Sequence, residues 1–236
     1  MNGIKWIFFD VGSTLVDETV AYDNHARSML EKASLVGNEV SFEEFDNARR
    51  RFALEGLDGN SSARKHFGLE MTPWPSCDEV LFTDAFDTLS YLKSKGYRLG
   101  VIANQPIGTK DRLDTWGILG FFDIVIASAE AGVSKPSPRI FLMAIEASGC
   151  DASQCVMVGD RLDNDIKPAK ALGMKTVWMR TGLASIQDPS FGNDIADCMI
   201  ERLCELREKF WLIENSFGVQ SFRQPIGTTK TPSGLL

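Results

Sequence analysis

The chain has 236 residues, 44% of them hydrophobic and 24% charged, which suits a globular protein with one large domain or a core with a smaller insert. A formal net charge of −7 argues against general nucleic-acid binding, which wants a basic surface. No basic-then-apolar leader precedes the first apolar run and no run approaches membrane-spanning length, so a cytoplasmic location with no membrane partner is expected, and the five cysteines, none in a CxxC pair, are expected to be reduced thiols.

The first apolar run, Trp6 to Phe9, stops at Asp10 and is followed by Gly12, Ser13 and Thr14. Such a run closed by turn formers predicts a strand buried on both faces. Asp10 then sits where the strand leaves the sheet, in the crevice where open α/β sheets bind ligands. A carboxylate there serves as a nucleophile, a metal ligand or a helix N-cap.

From residue 17 to 82 the pattern is helical and contains no expected strand. Tyr22, Ala26, Met29, Leu30 and Ala33 recur at helix spacing up to Gly37. Ser41 and Glu44 form a capping-box pattern that opens a second helix through Phe45, Ala48, Phe52 and Leu54. Ser61 or Ser62 is expected to open a short helix reaching Phe67, and the two prolines of Thr72-Pro-Trp-Pro-Ser76 make a rigid connector. The Arg49-Arg50-Arg51 run points in three directions on a helix, which predicts a solvated face, with one arginine aimed at substrate as the alternative.

After the insert, strands and helices alternate. Helix is expected over 84–95, strand over 99–103, and a helix capped by Thr109 up to Gly117. Strand over 123–127 precedes a helix opened by Ser137-Pro138 and stopped at Gly149. Strand over 155–158 leads to a helix from near Asp165 to Leu172, then strands over 176–179 and 198–200, and a last helix carrying Leu203, Leu206, Phe210 and Leu212. This order predicts an α/β fold, a doubly wound (Rossmann-like) parallel sheet core of residues 1–16 and 83–213 with a small helical insert over 17–82. Residues 214–236, rich in Gly, Pro, Thr and Ser, are expected to be weakly structured.

The chemistry gathers where strands end. Asp10, Asn104 and Asp160 each follow an apolar run, and Lys135 lies a few residues past the third strand. Asp160 and Asp165 belong to Gly159-Asp-Arg-Leu-Asp-Asn-Asp165, with three carboxylates in six residues. Asp10, Asp160 and Asp165 would repel one another unless a cation lay among them, and oxygen donors without His or Cys suggest Mg²⁺. Lys135 adds a fixed positive charge for a phosphoryl group.

These segments resemble the haloacid dehalogenase superfamily of aspartate-nucleophile hydrolases over roughly residues 4–212. Its first motif resembles Phe9-Asp10-Val-Gly-Ser-Thr14-Leu15, its second Val101-Ile-Ala-Asn104, its third Lys135-Pro136, and its fourth Val158-Gly159-Asp160-Arg-Leu-Asp-Asn164-Asp165. The resemblance implies a Mg²⁺-dependent, phosphatase-type hydrolase of a small phosphorylated metabolite, with Asp10 as nucleophile. It implies Mg²⁺ held by Asp10, the backbone carbonyl of Gly12 and Asp160, with Asp165 positioning the ion or its waters. It also implies that Lys135 and Asn104 steady the phosphate and the nucleophile, that Thr14 braces the loop, and that the helical insert over 17–82 is a cap domain covering the crevice.

Two positions depart from that pattern. Phosphatases of this family carry a second aspartate two residues after the nucleophile, as general acid and base, and here that position is Gly12. The residue before Asn104, ordinarily Ser or Thr, is Ala103. Proton transfer is worth about 10²–10⁴-fold, so slow or specialised turnover is expected. The alternatives are a non-catalytic metal- and phosphate-binding relic, a phosphonate-cleaving relative using a cap lysine (Lys32 or Lys65), or a metal-independent dehalogenase.

Overall fold

The computed structural model describes residues 3–187 and 196–215; of the tail expected over 214–236, residues 214 and 215 end the last helix and the rest lies outside the described residues. The chain runs through β1 (Trp6–Phe9), β2 (Val16–Asp17), α1 (Thr19–Ser34), α2 (Phe42–Leu54), α3 (Gly59–His66), β3 (Val80–Leu81) and α4 (Ala85–Ser94). It continues through β4 (Arg98–Ala103), α5 (Thr109–Thr115), β5 (Phe122–Ala127), α6 (Ser128–Ala131) and α7 (Pro138–Ser148). Then come β6 (Cys155–Gly159), α8 (Lys167–Ala171), β7 (Lys175–Met179), β8 (Cys198–Ile200) and α9 (Leu206–Asn215).

Six strands pair in parallel in the order β5-β4-β1-β6-β7-β8. All four β1 residues are buried because helices cover both faces. Ile7 and Phe9 pack with Leu89, Leu92 and Leu206 on one face, and Trp6 and Phe8 with Ile140, Phe141 and Ala169 on the other. The alternating directions of strand side chains thus give a continuous apolar run. The chain leaves β1 toward β4 and later returns to β6 on the other side, so β1 is the switch point of the topology. Register places Phe9 beside Val101 and Val158, which brings Asp10, Asn104 and Asp160 out at one edge.

Helices α1 to α3 form the insert, with a small core of their own around Met29, Leu30, Phe45 and Leu69. The capping box of α2 is complete: Glu44 N–H donates to Ser41 Oγ at 3.2 Å and Ser41 N–H to Glu44 Oε2 at 2.9 Å. Arg49 departs from the solvated-face expectation. It is 7% exposed, because its guanidinium reaches Asp23 at 2.6 Å and Asp46 at 2.7 Å; Arg50 remains outside on Asp46.

Other local expectations change. Asp58, not Ser61 or Ser62, caps α3, accepting from Ser61 N–H at 2.9 Å. Thr109 is the first residue of α5 rather than its cap, and its hydroxyl donates back to Pro106 at 2.8 Å. The helix expected from Asp165 begins as a single wide turn over Leu162–Ile166 before α8. A two-residue antiparallel ribbon, Val16 opposite Leu81 and Asp17 opposite Val80, ties the two ends of the insert together. Runs that short carry no period to read. No helix among the described residues is long and apolar enough to cross a membrane.

Gly100 in β4 shows how closely the sheet is covered. A Cβ there would stand 2.5 Å from Cε1 of Phe8, whose buried ring is stacked on Trp6 at 5.4 Å between centroids. Replacing a strand glycine with alanine ordinarily gains about 0.5–1 kcal/mol, whereas overpacking a fixed core costs about 1–3 kcal/mol. Gly100→Ala is therefore expected to lower the unfolding free energy by about 1–2 kcal/mol in urea titrations. Unchanged or increased stability would mean that the Phe8 ring yields freely.

Candidate active site

At the switch point, Asp10, Gly12, Glu18, Tyr22, Asn104 and Lys135 line part of one crevice of about 220 Å³. Asp10 follows the last residue of β1, and its N–H still joins the ladder through Val158 at 2.9 Å. Asp160 follows β6, its carbonyl fixed by the indole N–H of Trp178 at 2.6 Å. Asp165 packs directly on Gly159, where a Cβ would meet it at 2.5 Å. One carboxylate oxygen from each of Asp10, Asp160 and Asp165 lies within 4.8 Å of the other two.

Lys135 is buried between two of them, its Nζ 2.7 Å from Asp10 Oδ1 and 2.6 Å from Asp165 Oδ1. Burial alone would pull the ammonium's pKa down, but the charges of Asp10 and Asp165 outweigh it and hold the pKa above its usual value. Asp165 Oδ2 accepts from Arg161 N–H at 3.0 Å, so both its oxygens are engaged. Burial raises Asp165 to about 6. Asp160 is pushed well above the carboxylate range, first by burial and then by Asp165 and Asp10. It has no lysine or arginine ion-pair partner among the described residues, since Lys135 and Arg161 are turned to other carboxylates. The donor set is all oxygen, mutually repelling and incompletely neutralised by protein, which fits a hard divalent cation.

The other residues expected at the site separate. Asn104 faces the crevice, and its amide grips the Lys135 backbone: Nδ2 donates to the Lys135 carbonyl at 3.0 Å and Oδ1 accepts from Lys135 N–H at 2.8 Å. Thr14 is fully buried beneath the loop, and its hydroxyl has no partner among the described residues. Lys32 is on the outside of the insert, paired with Glu70 at 2.8 Å, and neither Lys32 nor Lys65 lines the crevice.

Glu18, Tyr22, Asp58 and Arg161 were not singled out by sequence reasoning as site residues, yet all line the crevice. Arg161 joins core to insert, pairing with Asp58 at 2.6 Å and with Asp163 at 2.7 Å. Glu18 is 8% exposed, and burial, then Asp10 and Glu79, raise its carboxyl to about 8. The nearby Arg112 guanidinium is held by Glu79 and Gln105 instead. Tyr22 stands edge-on to Trp74 at 4.9 Å, and burial pushes its hydroxyl pKa upward.

The chain is similar to known proteins over most of its length. Residues 4–173 match the model of the haloacid dehalogenase-like hydrolase family. A glyceraldehyde 3-phosphate phosphatase from Pyrococcus abyssi is 33% identical over 196 residues, covering 76% of this chain and 82% of the relative. One of the same name from Pyrococcus furiosus is 31% identical over 225 residues, covering 88% and 93%. The crystal structure of a phosphatase of this superfamily from Thermococcus onnurineus superposes with a TM-score of 0.61 at 28% identity, covering 88% of this chain and 98% of that one. The chain belongs to the haloacid dehalogenase-like hydrolases, and within them it is a hydrolase of the phosphatase type.

Proposed function

We propose that this protein is a Mg²⁺-dependent phosphatase that acts on a small phosphorylated metabolite through a covalent phosphoaspartate at Asp10. One observation carries the proposal: three carboxylates lie within 4.8 Å of one another at the switch point, with the Lys135 ammonium against two of them. The names of the relatives support phosphoryl chemistry, and the crevice of about 220 Å³ suits a compound of a few carbons. Glyceraldehyde 3-phosphate is the first compound to test.

Asp10, Asp160 and the backbone carbonyl of Gly12 would hold the ion, with Asp165, whose two oxygens are engaged by Lys135 and Arg161, positioning it or its waters. When bound, Mg²⁺ neutralises their charge and that of the phosphoryl oxygens. Lys135 has three N–H donors; two contact Asp10 and Asp165, which leaves the third for a phosphoryl oxygen. Asn104 sets the height of Lys135 through the backbone, so it acts on the phosphate indirectly. Asp10 attacks phosphorus in line with the departing oxygen, and water later releases phosphate from Asp10. Residues 17–82 serve as the cap, excluding water from the crevice and choosing the leaving group, while residues 1–16 and 83–213 carry the chemistry.

Asp10→Asn is expected to cut turnover of glyceraldehyde 3-phosphate by about 10³-fold or more, and EDTA to abolish wild-type turnover until Mg²⁺ is restored. Full activity in EDTA would contradict the metal assignment.

A second test reads stability. Mg²⁺ at 100 times its Kd is expected to stabilise the fold by about 2.7 kcal/mol, and Asp160→Asn to remove most of that gain. The metal-free protein should lose stability as pH rises. Folded Asp165 keeps its proton up to about 6, above the range of an unfolded aspartate, so between those values only the unfolded chain releases the proton and stability is lost as pH rises through the interval. Thermal melts in EDTA should therefore show Tm falling from about pH 4 to about pH 6, with Mg²⁺ stabilisation growing over the same window. A metal-free Tm that rises with pH there would contradict the burial of unneutralised carboxylates.

A further inference from the structure

Gly12 leaves room for a side chain, and the room is filled. A Cβ built on Gly12 would lie 2.4 Å from Glu18 Oε2 and 2.6 Å from Oε1. The carboxyl of Glu18 thus occupies the space of a side chain two residues beyond Asp10, within the same crevice. The loop brings it there: Leu15 and Val16 N–H both bond back to the Val11 carbonyl, at 2.8 and 3.0 Å. Residue 18 therefore returns beside residue 12.

Local structure makes no other demand on this side chain. Glu18 stands at the N-cap of α1 without a capping bond, because Asp17 Oδ1 takes the Thr19 N–H at 2.9 Å instead. Among the described residues its one side-chain hydrogen bond is a long one from Ser13 Oγ, at 3.5 Å. A nearly buried carboxyl with so few partners, facing a crevice that holds a nucleophile, is poorly explained as structural.

We propose that Glu18 is the catalytic acid and base of this enzyme, taking the place of the side chain absent at Gly12. The assignment rests on the phosphatase reading of Asp10 given above. In the first step Asp10 forms its bond to phosphorus, the bond from phosphorus to the substrate oxygen breaks, and the Glu18 proton passes to that oxygen to give the free alcohol. In the second step water attacks the phosphoaspartate and its proton passes to Glu18. The bond from phosphorus to Asp10 breaks, which releases phosphate and restores both carboxyl groups to their starting states.

The test compares wild type, Asp10→Asn, Glu18→Gln, Glu18→Ala and Gly12→Asp/Glu18→Ala, with thermal melts to show that each is folded. Alkyl phosphate hydrolysis is followed at steady state, and p-nitrophenyl phosphate, whose leaving group needs no proton, by rapid acid quench. Glu18→Gln should lower kcat on the alkyl ester by about 10²–10⁴-fold with KM little changed. With p-nitrophenyl phosphate it should release a burst of one nitrophenol per enzyme and trap a covalent phosphoenzyme. Gly12→Asp in the Glu18→Ala background should recover at least about tenfold of the lost rate, since the new carboxyl enters the same space. If Glu18→Gln turns over the alkyl ester at the wild-type rate while Asp10→Asn is inactive, the Glu18 assignment is wrong and the nucleophile stands. If Asp10→Asn keeps wild-type turnover, the phosphatase reading itself fails and takes the Glu18 assignment with it.

Discussion

The structure is organised around an excess of negative charge held at one sheet edge. Asp10, Asp160 and Asp165 converge there because the switch in strand order makes the carboxyl ends of β1, β4 and β6 neighbours. Lys135 balances only part of that charge, and Asp160 has no cationic partner among the described residues. Desolvation makes such an imbalance costly unless protons or a metal ion are taken up. On the proposed function, a site that is expensive to leave unneutralised is therefore one that binds a divalent cation and a phosphoryl group together. The same shortage of positive charge gives the metal-free protein its expected sensitivity to pH.

The second constraint is spatial. The loop after β1 turns back on Val11 so tightly that Gly12 and Glu18 share one volume. A side chain at position 12 and a glutamate at position 18 exclude one another without rearrangement. The absence at one position and the carboxyl at the other are then a single exchange, in which chemistry placed six residues apart in sequence meets in space. Glu18 sits where the core gives way to the insert, with its carboxyl against Gly12 and Ser13 of the core loop.

Much of the fold was legible because both-face burial writes itself as an unbroken apolar run. Trp6 to Phe9 and Cys155 to Val158 were readable for that reason, and a residue closing such a run, Asp10 or Asp160, falls at the crevice by topology alone. Lys135 was readable from the Ser-Lys-Pro turn before α7. The insert was legible as helices, but not the fate of Arg49, whose burial depends on Asp23 in another helix. Glu18 was missed because its role depends on how a six-residue loop closes, which carries no periodicity. A faint signal was present: Asp17 and Glu18 both precede α1, one helix start needs only one such cap, and the other acid is spare.

The most direct measurement of the central claim is a crystal structure with Mg²⁺ and beryllium fluoride, a mimic of a phosphoryl group on a carboxylate. The predicted result is fluoroberyllate on an Asp10 carboxylate oxygen, Mg²⁺ among Asp10, Asp160 and Asp165, and the Lys135 ammonium against a fluorine. An ion bound elsewhere, or fluoroberyllate absent from Asp10 under conditions of full Mg²⁺ binding, would contradict it.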